Sequence, residues 1–150
     1  MNAPAKTNVI LIAEDDADDR LLIQDALTDS GVALDVRFVE DGVELLDYLN
    51  RRHEFSLPAS SPWPGLIILD LNMPRMDGRE ALKELKSKPG WKQIPVVVLT
   101  TSTAEPDIAR VYELGANSFI SKPVSFQALV GLMATVVDYW FKAVALPAKN

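Results

Sequence analysis

Four short stretches of this chain carry residue types that could do chemistry together. Glu14-Asp15-Asp16 follows an apolar run, Val9 to Ala13. Asp70 ends a second run, Leu66 to Leu69, and Leu71-Asn72-Met73-Pro74 comes next. Thr100 ends a third run, Val96 to Leu99, and Lys122-Pro123 follows Ser118 to Ser121. If these runs are neighbouring strands, several carboxylates converge on one pocket. Unit charges about 4 Å apart repel by roughly 4 kcal/mol at an effective dielectric near 20. Such a cluster must protonate, bind a cation or pair with Lys. Mg²⁺ suits it, being hard and compact, content with one or two carboxylates and several waters. A metal, an ammonium and a hydroxyl are the equipment for holding a phosphoryl group while a carboxylate attacks phosphorus in line. A plainer reading stands beside this one. Acidic residues after strands often cap the next helix, and Thr100 or Lys122 alone would mean little. The arrival of all four at strand ends is what favours a functional pocket.

The elements that must position these residues can be read from apolar spacing. Val9 to Ala13, Leu66 to Leu69 and Val96 to Leu99 are unbroken apolar runs, the pattern of strands covered on both faces. Leu34, Val36 and Phe38 alternate with Asp35, Arg37 and Val39, which predicts a strand near a sheet edge. Ser118 to Ser121 is a short fifth strand. Between the strands, apolar residues recur at helical spacing: Leu22, Ile23, Ala26 and Leu27; Val43, Leu46 and Leu49; Ala81, Leu82 and Leu85; Ile108, Val111 and Tyr112. Ser30-Gly31 and Gly115 read as helix ends, and Ser125 as the N-cap of a long last helix. Residues 51–65 carry Pro58, Pro62 and Pro64 and read as a surface loop. Strand–helix repeated five times predicts an α/β fold, a doubly wound five-stranded parallel sheet with flavodoxin-like order 2-1-3-4-5. One domain is expected over residues 8–145, with tails at 1–7 and 146–150.

Composition removes several function classes. The chain has 150 residues, no Cys and one His, His53, which reads as solvated. A disulfide framework, a thiolate metal site and a Cys nucleophile are therefore excluded. The net charge of −6 argues against nucleic acid as partner, since such binding needs cations to displace phosphate counterions. No stretch reaches the roughly 18 apolar residues of a membrane span, and the start, MNAPAKTN, has no signal core. A cytoplasmic protein is the expectation.

The segments ILIAEDD, LIILDLNMPRMDG, IPVVVLTTS and GANSFISKP complete the picture. With these in order, the chain resembles the receiver domain of bacterial two-component response regulators across residues 8–141. Asp70 lies 55 residues after Asp15, 30 before Thr100 and 52 before Lys122, spacings that agree with the family. DGREALKELK and the ending DYWFKAVALP resemble a narrower group, the small stand-alone regulators paired with phytochrome-type histidine kinases. The resemblance implies that Asp70 accepts a phosphoryl group from a kinase phosphohistidine. It implies that Asp15 binds Mg²⁺ directly, Glu14 through water, and Asn72 through its backbone carbonyl, beside Asp70. Thr100 would hydrogen-bond a phosphoryl oxygen and Lys122 would pair with another. Lys122-Pro123 is expected to be cis, aiming the ammonium at Asp70. Phe119 matches the aromatic switch position, without the hydroxyl of a tyrosine. Thr101 is bulkier than the small residue common after the switch hydroxyl and could narrow access to the phosphoryl site.

Output is expected through protein contacts. Thr100, drawn toward a phosphoryl group, would vacate space for Phe119 to turn inward and reshape the last helices. Phe126, Val130, Met133, Val137, Trp140 and Val144 form a heptad-like stripe. With Phe141 it predicts a homodimer through the C-terminal helix; a single wide core face is the competing reading. An enzyme is the alternative function: an Mg²⁺-dependent phosphatase or phosphotransferase working through an aspartyl phosphate. It is disfavoured because no acid–base carboxylate stands at position 72. A flavin-binding module of this topology is a further alternative. It lacks a Gly- and hydroxyl-rich loop after the first strand, where carboxylates would repel a phosphate.

Overall fold

A computed structural model describes residues 8–102 and 104–147. The expected tails, 1–7 and 146–150, lie outside the described residues except for Leu146 and Pro147. Five strands and five α-helices alternate: β1 (Val9–Ala13), α1 (Ala17–Asp29), β2 (Asp35–Val39), α2 (Gly42–Asn50), β3 (Leu66–Leu69), α3 (Gly78–Ser87), β4 (Val96–Thr100), α4 (Glu105–Glu113), β5 (Ser118–Ser121) and α5 (Phe126–Val137). All strand pairs are parallel, in the order β2-β1-β3-β4-β5. The order reverses between β1 and β3, which opens a crevice at their carboxyl ends.

Side chains that alternate along each strand feed two cores. Leu11, Ala13, Ile67, Leu69, Val96 and Val98 face α2, α3 and α4, against Leu45, Leu82, Leu85 and Val111. Ile10, Ile12, Leu66, Ile68, Val97 and Leu99 face α1 and α5, against Ile23, Leu27, Leu129, Met133 and Val137. β1, β3 and β4 are buried throughout, while β2 is half-buried at the sheet edge. Each apolar run predicted to be central is central.

Helix starts are fixed by side chains. Asp16, Asp41, Asp77 and Ser125 cap α1, α2, α3 and α5 by accepting from the amides of Asp19, Glu44, Glu80 and Ala128. The Pro-rich segment is a loop with two 3₁₀ turns, His53–Phe55 and Pro58–Ser60. His53 is exposed, as expected of a solvated residue.

The last helix departs from expectation. α5 ends at Val137 and continues as a wider π-turn, Asp138–Ala143, closed by the Val144 amide donating to the Tyr139 carbonyl. The heptad-like stripe therefore loses its phase after Val137. Met133 and Val137 are 1% and 0% exposed, packed in this chain's own core. Val130, Trp140 and Phe141 are half-buried against the same core, and Phe126 is 40% exposed. Met133 and Val137 are thus corrected from dimer contacts to core residues: the stripe is spent on covering the sheet beside α1.

Candidate phosphoryl-accepting site

The crevice above β1 and β3 is where the candidate residues meet. Glu14 and Asp70 stand one residue beyond their strands and are 2% and 6% exposed. Asp15 is exposed at the rim. Carboxylate oxygens of Glu14, Asp15 and Asp70 lie within 4.8 Å of one another, close enough for one cation to touch all three. Thr100 ends β4 and Lys122 follows β5, so both reach the crevice from neighbouring strands.

Local folding explains each placement. The Glu14 amide donates to the Val39 carbonyl and the Asp70 amide to the Ala13 carbonyl, so the ladder runs up to both acids. Gly78, at the start of α3, packs on the Asp70 backbone. A Cβ there would sit 2.2 Å from the Asp70 carbonyl oxygen, so only glycine lets α3 begin at this point. The Asn72 amide donates to Asp70 Oδ1 at 3.3 Å and turns the loop over the carboxylate. Arg75 sits in the left-handed region at φ 61° and is held there by buried Asp41, with Nε 2.7 Å from Oδ2. The Gly42 amide donates to the Met76 carbonyl, so the β3–α3 loop is tied twice to the start of α2.

Lys122 is the hub of the charges. Its ammonium donates to Glu14, to Asp19 at 3.0 Å and to Asp70 at 3.2 Å, using three donors on three carboxylates. Its side chain is 13% exposed. Burial pushes the Glu14 carboxyl up to about 7; the Lys122 hydrogen bond pulls it down, and the Asp70 charge adds to the rise. For Lys122, burial favours the neutral form, but the bonds to Glu14 and Asp19 and the Asp70 charge outweigh it. The ammonium is held above its ordinary pKa. The Lys122–Pro123 peptide is trans, since no cis bond occurs among the described residues. The expectation of a cis bond is corrected. The Lys122 amide donates to the Thr100 carbonyl at 2.8 Å, extending the ladder. The trans isomer is the intrinsically favoured one, and the ammonium reaches Asp70 from it.

Thr100 is fully buried, and among the described residues Thr100 Oγ1 is a buried side-chain polar atom with no hydrogen-bond partner. Buried hydroxyls are normally hydrogen-bonded, so this one is a donor at the end of β4 that the protein's own groups do not use. Phe119 pairs with Val98 on the neighbouring strand, is half-buried against the α2–α4 core, and donates its amide to the Tyr112 hydroxyl at 3.1 Å. Thr101 is exposed at the mouth. Met73 is buried and Met76 partly so, both packed into the core on the α2–α4 side of the sheet.

The geometry brings Glu14, Asp15, Asp70 and Lys122 together, with Thr100 at the end of the neighbouring strand β4 and the Asn72 amide on Asp70. It adds residues absent from the expectations. Asp19 is one, and its signal was its place three residues after the N-cap Asp16, on the crevice side of α1. The Asp41–Arg75 pair is another, and it has no local sequence signal, its partners being 34 residues apart.

The donor set fits a hard divalent cation: oxygen ligands, two buried and one exposed. No helix among the described residues is long and apolar enough to cross a membrane. Residues 10–134 match the family model described as the response regulator receiver domain. The response regulator Rcp1 of Synechocystis sp. is 39% identical over 140 residues, 93% of this chain and 93% of its own length. The crystal structure of its Mn²⁺-bound form gives a TM-score of 0.85 at 39% identity, covering 94% of this chain and 99% of that one. That of the phosphorylated cyanobacterial phytochrome response regulator RcpA gives 0.87 at 41% identity, covering 95% and 99%. RPA3017, a response regulator in red light signaling of R. palustris, gives 0.88 at 31% identity, covering 93% and 98%.

Proposed function

The chain belongs to the response regulator receiver domain family, and from that membership we propose that Asp70 is its phosphoacceptor, served by the phosphohistidine of a sensor histidine kinase. The observation that carries this reading is the convergence around Asp70. One flank holds the Lys122 ammonium at 3.2 Å, and the others hold Glu14 and Asp15. The unpartnered Thr100 hydroxyl is buried at the end of the neighbouring strand.

An Asp70 oxygen attacks phosphorus in line. The new P–O bond forms as the P–N bond to the kinase imidazole breaks, and the imidazole nitrogen leaves with the electron pair. The product is an acyl phosphate on Asp70. Lys122 turns an N–H from the carboxylates to one phosphoryl oxygen, and the Thr100 hydroxyl donates to another. Asp15, Asp70 and the Asn72 carbonyl, with Glu14 through a water, would hold Mg²⁺, which when bound would neutralise phosphoryl charge. The Mn²⁺-bound form of Rcp1 supports a divalent cation here, and the all-oxygen donor set supports Mg²⁺. In this reading the chain signals from the cytoplasm and its chemistry is confined to its own phosphorylation and dephosphorylation. The likeness to RcpA and Rcp1 supports a phytochrome-type kinase as partner.

Drawing Thr100 toward the phosphoryl group frees space behind it, and Phe119 moves inward from its half-buried position. Output then follows from changed contacts of α4, β5 and α5 with a protein target. A homodimer through the C-terminal segment belongs to the same reading, now through exposed Phe126 and Tyr139 and the outer faces of Trp140 and Phe141. The test is treatment with acetyl phosphate or BeF₃⁻ in Mg²⁺, comparing the wild type with Asp70→Asn. Labelling of the wild type and none of the variant is expected. Equal labelling of both would place the acceptor elsewhere.

A further inference from the structure

A lysine ammonium has three N–H donors, and in this protein all three are spent on carboxylates: Glu14, Asp19 and Asp70. Two of those acids are the buried candidate metal ligands, and Asp19 is not. Lys122 therefore occupies the acids that a divalent cation needs. A cation entering between Glu14, Asp15 and Asp70 competes with the ammonium for the negative charge of Glu14 and Asp70. The ammonium must leave Glu14 yet remain beside Asp70 to meet a phosphoryl oxygen. Its side chain is 13% exposed, so a free ammonium would turn outward to water. We infer that Asp19 is a positioning residue that retains Lys122 at the crevice while a divalent cation displaces it from Glu14. This rests on the proposed metal site and adds a requirement to it.

Asp19 is built for that task. It lies in the first turn of α1, and its amide is bound to the capping carboxylate of Asp16 at 2.9 Å. The neighbouring Arg20 anchors the same turn by donating to the Glu14 carbonyl at 2.8 Å. The helix start is thus locked to the end of β1, and the Asp19 carboxylate is held within 3.0 Å of the Lys122 ammonium. Its side chain is 37% exposed, against 2% for Glu14. Lys122 thus has a counter-ion at the rim that the buried cation site does not consume. Without it, the ammonium has Glu14 and Asp70 as its remaining partners and competes harder with the metal.

The role is tested by Mg²⁺ titration calorimetry on wild type, Asp19→Asn, Lys122→Gln and the double variant, with Asp15→Asn as control. Asp19→Asn is expected to weaken Mg²⁺ about two- to fivefold, the scale of one partly exposed ion pair. In the Lys122→Gln background the same change is expected to have no effect, because the competitor is gone. An equal loss in both backgrounds would reduce Asp19 to a general negative field and overturn the inference, as would no loss in either. A ¹⁵N-lysine spectrum gives an independent readout that a purely structural role would not move. At saturating Mg²⁺ the Lys122 ammonium signal should persist in wild type and exchange away in Asp19→Asn. Its persistence in the variant would also overturn the role. Failure of the metal site itself looks different: Asp15→Asn would then bind Mg²⁺ as the wild type does, and both readings would fall.

Discussion

Glu14 is the residue on which ionisation and metal binding meet. Its folded-state pKa, about 7, is above its ordinary 4.5, so the fold favours the protonated form. The stability this provides is fully present below 4.5 and is lost as pH rises toward 7. Between pH 5 and 8 the metal-free protein should lose about 2 kcal/mol from this group, read as a falling midpoint in urea melts. Mg²⁺ binds the ionised carboxylate, so its affinity should rise over the same range. The Mg²⁺-induced gain in Tm should accordingly be larger at pH 8 than at pH 6. A gain independent of pH would mean that Glu14 is already ionised at pH 6. Lys122 is the other residue whose removal should be felt. Lys122→Ala leaves Glu14 and Asp70 buried without their cation, which should cost about 3 kcal/mol without metal. Added Mg²⁺ should recover much of it, measured as a Tm difference.

At the scale of elements, loops and helix starts are coupled. Asp41 caps α2 through the Glu44 amide and grips Arg75 in the loop carrying Asn72. Burial pushes the Asp41 carboxyl up, but the Arg75 and amide bonds win and hold it below its ordinary value. Asp41→Ala should cost about 1–2 kcal/mol through the lost cap and the released loop. It should also slow acetyl phosphate labelling, since the loop that turns over Asp70 keeps only one of its two ties, the Gly42 amide to the Met76 carbonyl. Normal labelling at reduced stability would confine Asp41 to capping. Much of this level was legible in the sequence. Leu66 to Leu69 stops abruptly at Asp70, and an apolar run ending in a charge locates a strand end. What was not legible depends on contacts distant in the chain or on backbone choices with no composition signature. The Arg75–Asp41 tie joins separate loops, and the trans Lys122–Pro123 bond looks in sequence like a cis one. The π-turn at Asp138–Ala143 follows a helix whose apolar spacing continues through it unbroken, so a heptad count reads straight across the change of winding.

At the scale of the molecule, the two cores divide the labour. α1 and α5 close one sheet face, while the other carries Phe119 against α2, α3 and α4. Phosphorylation acting through Thr100 and Phe119 should therefore shift amide signals of α4, β5 and the start of α5. The distant end of α1 should stay still. Uniform shifts, or none, in a ¹H–¹⁵N spectrum with BeF₃⁻ would refute that route. Sedimentation across a dilution series should show a dimer that weakens when Phe126 and Tyr139 are both made polar. A concentration-independent monomer would end the dimer reading.

The bond from the Phe119 amide to the Tyr112 hydroxyl has a meaning beyond signalling. β5 is the last strand of the sheet, and its outward amides are the kind that a foreign chain could zip onto, one protein templating the next. By taking one of those amides, a side chain from α4 acts as a gatekeeper against such stacking. The edge strand is thereby left with one fewer free amide, and Tyr112→Phe should reveal the effect as faster aggregation on storage.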